Sequence, residues 1–448
     1  METQDPNDKR IRQLIWIYFW LLIFEGALRK WFLPSLSTPL LIVRDPVVIL
    51  IYLVALSGHK FPRTGFFAWI IGLAFVSLLA SFTGQGNIKV TLYGLRTDFL
   101  SLPLIFLIGR ALTPADVKKA GKWVLILAVP MALLAFEQFR SAPDARINAG
   151  AGGELSAQLF ASSGRIRPAG TFSFVTGMVC FLSLTAAFVL FDFLQKKQYP
   201  RVISLSALVG LGLALGVSGS RSAILTVSLV LATAVLACLY QGKFFSSAIK
   251  PLLAIYTVFL VLSLLPVFQQ GMAVQQERFE GAGGLREGIV DRFLGDFISG
   301  IMSARDAPLL GYGLGMGTNA GAGIMVGSRT FLLAEGEWAR VIMEGGPILG
   351  FAYIGLRIAI LIYIIAAVIR ALRRGVILPA LLLGAFGLDM LSGQFSQPTA
   401  MGFVILGAGL CLAAAKDPGT EIPVAAAAAP EARITGRSRY AEALHGKS

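Results

Sequence analysis

The stretch VISLSALVGLGLALGV, residues 202–217, runs through SGSRSA, Ser218–Ala223, into ILTVSLVLATAVLACLY, residues 224–240. Two apolar runs, each close to the ~20 residues that carry a helix across a bilayer core, are joined by six small or polar residues. Arg221 is the only charge in this long apolar region. An ionisable side chain at membrane depth is costly and calls for a partner or a water-filled cavity. The plainer alternative is an arginine snorkelling from a helix end. Its flanks, however, are small and polar rather than the aromatic anchors usual at an interface.

Working outward, the same pattern repeats along the chain. Its 448 residues are 56% hydrophobic and 14% charged, with a mean hydropathy of +0.73, which excludes an ordinary soluble domain. The expected fold is an all-α integral membrane protein of about twelve spans. They lie near 14–33, 38–57, 66–83, 92–110, 121–139, 171–194, 202–218, 222–240, 249–268, 341–369, 376–391 and 398–415. Cys180, Cys238 and Cys411 all fall inside apolar runs, so neither a disulfide framework nor a cysteine metal site is supported. Met1 to Gln13 is polar, and no small-residue cleavage site separates it from the first span, so no cleavable signal peptide is expected.

The net charge of +14 would suggest nucleic acid in a soluble protein. Here it reads as topology, and no nucleic-acid partner is expected. With Lys9, Arg10 and Arg12 in the cytoplasm, alternate loops agree: Lys60 and Arg63, then Lys118, Lys119 and Lys122, then Lys196, Lys197 and Arg201. Lys243, Lys250, Arg370, Arg373 and Arg374 follow the same side, and Lys30 and Lys89 are the exceptions. Both termini are then cytoplasmic, with 1–13 a short leading segment and 416–448 a disordered tail.

Two long polar loops, 140–170 and 269–340, face outward in this topology. Both carry arginine without lysine: Arg140, Arg146, Arg165 and Arg167 in the first, and Arg278, Arg286, Arg292, Arg305, Arg329 and Arg340 in the second. A guanidinium grips phosphate through a planar fork, whereas lysine offers a point charge. The habit points to a phosphate-bearing lipid or sugar donor. Within the larger loop, Leu285, Ile289, Phe293, Phe297 and Ile301 recur at helical spacing, with Arg286, Arg292, Asp296 and Ser299 on or near the other side. That is an amphipathic helix, either lying on the membrane surface or packed on the spans as a lid. The following PLLGYGLGMG, Pro308–Gly317, lacks the lysine of a nucleotide-binding glycine loop and is rejected as one.

The loop closes on EGEWARVIMEGG, Glu335–Gly346. Glu337, Arg340 and Glu344 stand three and four residues apart and share one helix face. One reading is a salt-bridged helix start, with Glu337 complementing the dipole. The other is a carboxylate base beside a phosphate-binding arginine. Elsewhere, Glu25 with Arg29, Arg44 with Asp45, and Arg96 with Asp98 read as local pairs inside spans.

Taken in order, the SGSRSA turn, the arginine-bearing outer helix, the PLLGYGLG segment and the Glu344-Gly345-Gly346 start of the next span resemble the O-antigen polymerase and O-antigen ligase superfamily. The motifs cover roughly residues 200–360, and the topology covers the whole chain. The resemblance implies an inverting glycosyltransferase that needs no metal, cofactor or nucleotide sugar. Such an enzyme takes a glycan from an undecaprenyl diphosphate carrier to an acceptor glycan or lipid A core, at the bilayer and beside other polysaccharide assembly proteins. It implies that Arg221 and Arg292 contact the diphosphate; from the arginines of the outer loops, Arg340 and Arg167 are expected as further contacts. Where family members carry a histidine, this chain has Glu335, with Glu337 beside it; its only histidines, His59 and His445, fall on the cytoplasmic side. A carboxylate is then expected to remove the acceptor proton, and Trp338 to stack on a sugar or anchor at the interface.

Overall fold

The computed structural model describes residues 5–62, 64–155, 158–161, 164–195, 197–242, 249–281, 285–327 and 332–417, with backbone alone for 250 and 285–294. The helices in chain order are α1 Pro6–Ala27, α2 Arg44–Ser57, α3 Gly65–Thr83, α4 Ile88–Leu95, α5 Leu102–Ala111, α6 Pro114–Arg140, α7 Val175–Leu194 and α8 Arg201–Val217. They continue as α9 Arg221–Tyr240, α10 Ile249–Leu262, α11 Pro266–Glu280, α12 Leu285–Asp306, α13 Asn319–Val326, α14 Glu337–Arg373, α15 Leu378–Ser392 and α16 Pro398–Ala414. A hydrocarbon medium offers no partner to a backbone amide, so each crossing must satisfy its own, and a helix does. Among the described residues, eight helices are long and apolar enough to cross a membrane, or nine if the bent α10–α11 pair is one span. The expected spans 202–218, 376–391 and 398–415 fall on the shorter apolar helices α8, α15 and α16, which are below that length.

Helices start where the chain supplies caps. Asp5 accepts the Asn7 amide ahead of Pro6, and Thr113 with Asp116 forms a capping box ahead of Pro114. That box starts α6 seven residues before the expected boundary of 121 and leaves Lys118, Lys119 and Lys122 exposed on its first turns. Helix α7 is the centre of the bundle, packed by α6, α8, α9, α15 and α16. Gln195 bonds the Gly375 carbonyl and Gln241 that of Leu372 at one end of the bundle. The SGSRSA turn and the starts of α7 and α14 therefore meet at the opposite end.

Two breaks shape that end. Helices α10 and α11 meet at 105° across Ser263–Leu265, so the expected span 249–268 bends before its end and α11 lies across the tip of α8. Helix α14 starts at Glu337, inside what was expected as loop through 340, and kinks at Gly346 (φ 70°, ψ 174°) before Pro347. The kink exposes the carbonyls of Met343 and Glu344, whose ordinary donors would be the amides of residues 347 and 348; Pro347 has none. PLLGYGLGMG fills the gap: Tyr312 N–H bonds Met343 O and Gly313 N–H bonds Glu344 O, each at 2.9 Å. A side chain at Gly346 would run into the Leu309 carbonyl, so a residue that both takes this φ and has no Cβ is needed there.

Helix α12 covers the expected amphipathic segment, and the side chains of Leu285, Ile289 and Phe293 lie outside the described residues. Phe297 packs edge-on against Trp338 at 4.4 Å and Gly300 lies against the Cβ and backbone of the same residue, whereas Ile298, Ile301 and Met302 are exposed. Asp296, expected on the polar side, turns toward the start of α14. The tail 418–448 lies outside the described residues.

Candidate functional site

Two clusters of charge occupy the SGSRSA end. The first is built on the turn itself. Gly219 takes φ +53°, the left-handed region that favours glycine, and brings the chain against Ala161, Val274 of α11 and Arg167. Leu159–Ala161 and Arg165–Arg167 face each other as a short antiparallel hairpin. Within it the Phe160 carbonyl accepts Arg167 Nε at 3.1 Å and Arg278 Nη1 of α11 at 3.5 Å. Arg167, Arg221 and Arg278 thus converge from three separate segments. Arg221, the first residue of α9, is half-buried, has no ion pair among the described residues, and keeps its buried Nε without a hydrogen-bond partner.

Beneath this turn lies a cavity of about 240 Å³ between α7, α8, α9, α10 and α11. Its lining is apolar throughout, including Leu211, Val227 and Val258. It ends at Gly216, two residues before Ser218, and on α11 at Phe268 and Met272, the latter about one turn before Gln275.

The second cluster sits at the start of α14. Arg340 gives Nε and Nη2 to the two oxygens of Glu337 (3.0 Å each), Nη1 to Glu344 (2.9 Å) and Nη2 also to Asp98 (2.9 Å). Arg357, one stretch further along α14, donates to Glu337 at 2.8 Å, bonds the carbonyls of Asp389, Met390 and Gly393, and stacks on Phe395 at 3.8 Å. Arg340 is 2% exposed and Glu337 1%. The other oxygen of Glu344 accepts Gly317 N–H at 2.8 Å, which ties the glycine segment into the same network.

Asp296 borders this cluster from α12. Burial first, then the Glu337 carboxylate, raise its pKa from 3.8 to about 6, against the pull of Arg357 and the first backbone amides of α14.

Placed on this geometry, the expected site residues divide. Arg221 and Arg167 share the turn cluster. Arg340 and Glu337 belong to the buried network, where every polar atom has a protein partner; the expected phosphate contact and base are instead the ion-paired start of a helix. Glu335 is exposed just ahead of α14, with its carbonyl held by Gln394 at 2.8 Å. Trp338 donates its indole N–H to Leu391 and packs on Phe297, which wedges it between α12 and α15 rather than presenting a sugar platform. The side chain of Arg292 lies outside the described residues.

The local pairs within the spans are largely exchanged. Glu25 does bond Arg29 at 3.4 Å, but Arg44 also goes to Glu25, Arg96 to Asp45, and Asp98 to Arg340. Sequence reasoning named Arg278 only among the arginines of the larger loop, and missed Gln275 and Arg357 as members of these clusters. For Arg278 and Gln275 the available signal was their i, i+3 spacing beside Gly271 and Val274. No protein-family model matches the chain, and no curated protein matches it.

Proposed function

We propose that this chain is a membrane-embedded glycosyltransferase of the polysaccharide polymerase kind. It moves a glycan from an undecaprenyl diphosphate-linked donor onto an acceptor glycan at the outer face of a bacterial inner membrane. The observation that carries this reading is the apolar cavity that ends at Gly216, beside the turn of Arg221, against which the segments of Arg167 and Arg278 pack. A lipid phosphate needs those two surroundings in that order: room for hydrocarbon, then guanidinium groups for the anion. The alternating lysine loops favour twelve spans, both termini in the cytoplasm and this end outside.

In the reaction, the arginines of the turn neutralise charge growing on the diphosphate as its bond to the anomeric carbon breaks. Glu335, exposed beside the start of α14, takes the proton of the incoming sugar hydroxyl, whose oxygen forms the new bond from the opposite face. Glu337, paired with two arginines, supports the helix that presents Glu335.

The test is purified full-length protein in detergent with a lipid diphosphate-linked repeat unit. Release of free lipid diphosphate with lengthened glycan supports a polymerase, and release only with lipid A core makes it a ligase-type transferase. No turnover with either acceptor from a folded sample overturns the reading in favour of transport of the lipid-linked oligosaccharide.

A further inference from the structure

A row of polar side chains crosses from α7 to the turn between α15 and α16 and ends at the backbone of Glu335. The Thr176 hydroxyl donates to Gln397 Oε1 at 2.7 Å, Gln397 Nε2 donates to Gln394 Oε1, and Gln394 Nε2 donates to the Glu335 carbonyl at 2.8 Å. The direction of the row follows from its last member. A backbone carbonyl only accepts, so Gln394 meets it with nitrogen and turns its oxygen to Gln397. Gln397 answers with nitrogen in turn and leaves its own oxygen for Thr176.

An amide nitrogen carries two N–H groups and an amide oxygen two lone pairs. Gln394 and Gln397 each spend one of either kind in the row, and their side chains make no further hydrogen bond among the described residues. Both side chains are half-buried rather than enclosed. Each therefore keeps one donor and one acceptor, which matches a sugar hydroxyl, itself donor and acceptor.

The turn that carries them is held from below. Gln397 N–H bonds Gln394 O at 3.1 Å, and between the two lies Phe395, 1% exposed, with Arg357 stacked on its ring at 3.8 Å. Arg357 also holds the Gly393 carbonyl at 3.0 Å. Gln397 stands at the cap position of α16 but gives the helix no side-chain bond, and the residues favoured there are Ser, Thr, Asp and Asn. Helix capping does not account for the amide. Groups fixed before a ligand arrives lose little freedom on binding it.

We propose that Gln394 and Gln397 form a subsite for the hydroxyls of the acceptor glycan, next to Glu335. The inference rests on the glycosyltransferase reading and adds where the acceptor lies and what holds its subsite in place.

The probes are the repeat-unit oligosaccharide freed from the lipid diphosphate donor and its O-methylated form, which has no hydroxyl left to donate. Their binding to the full chain in nanodiscs is measured by calorimetry, and acceptor and donor KM in the detergent turnover assay. Native protein is expected to prefer the free oligosaccharide by at least about tenfold. Gln397→Met is expected to weaken its binding and raise acceptor KM about tenfold while donor KM holds, the scale of one or two hydrogen bonds. Gln394→Met is expected to do the same and to lower kcat as well, because Gln394 also holds the Glu335 segment.

A row that only staples α7 to the turn predicts instead that both variants lower the unfolding temperature, with donor and acceptor KM moving together or not at all; that result overturns the proposal. Should neither variant fold, native protein decides alone: equal binding of the free and O-methylated oligosaccharides overturns the subsite, and the tenfold preference supports it. The two failures separate. Native protein that binds the oligosaccharide through these amides but transfers nothing overturns the transferase reading and keeps a glycan subsite. Turnover with an acceptor KM indifferent to both amides overturns the subsite and keeps the transferase.

Discussion

Arg340 sits among Asp98, Glu337 and Glu344 with every nitrogen engaged, whereas Arg221, at the same end of the bundle, reaches no carboxylate among the described residues. Both are arginines at the start of an apolar helix. A guanidinium enclosed by carboxylates is a brace, because removing either charge strands the others in a low-dielectric interior. One left with an open edge beside an apolar cavity is available to an anion from the membrane. The difference lies in which neighbours folding supplies.

Several substitutions would break or sharpen this contrast. Arg340→Leu leaves three buried carboxylates around one fewer cation and is expected to cost about 3–5 kcal/mol, comparable with the margin by which domains stay folded. Its readout is the yield of monodisperse protein and its unfolding temperature in detergent. Arg221→Ala is expected to stay within about 0.5 kcal/mol of the native protein and to abolish turnover. Equal destabilisation by the two would erase the distinction between brace and site.

The glutamates should split along the same line. Glu335→Gln is expected to lower turnover by roughly 10²–10⁴-fold, the usual worth of a positioned base, with unfolding unchanged. Glu337→Gln, which weakens the bonds to Arg340 and Arg357, is expected to cost about 1.5–3 kcal/mol of stability first. Reversed effects would return Glu337 to the role of base.

The smallest effect is a pH dependence at Asp296. Its pKa is raised to about 6 from 3.8, so the folded chain holds this proton more tightly than the unfolded one. The stabilising contribution is complete below 3.8 and is lost as pH rises through about 6. With allowance for partial exposure it is of the order of 1 kcal/mol. Hydrogen exchange along α12 should therefore quicken between pH 5 and pH 8 beyond the intrinsic rate, and Asp296→Asn should flatten that difference. An unchanged profile in Asp296→Asn would place the dependence on another group.

What was legible in the sequence follows from what is local. Apolar runs of span length, proline and threonine at helix starts, the lone Arg221 and the Glu337–Arg340–Glu344 spacing are all properties of neighbouring residues. Those marks were enough for an all-α membrane protein and for one genuine ion-paired helix face. The pairs inside the spans were misread because proximity along the chain is a poor guide where a distant partner is better placed: Asp98 meets Arg340 across 242 residues. On α12 periodicity reports an apolar face but not which surface covers it: Phe297 packs on Trp338 while Ile298 and Ile301 stand exposed.

The sequence by itself determined that this chain is a bundle of apolar helices with arginine gathered at one end, because a helix is the only way such runs satisfy their backbones in lipid. Only the tertiary structure decided which distant partners join Arg340, Asp98 directly and Arg357 through Glu337, and which arginines gather at the SGSRSA turn. Charges choose partners by distance in space, and the kink at Gly346, the bend at residues 263–265 and the left-handed turn at Gly219 set those distances.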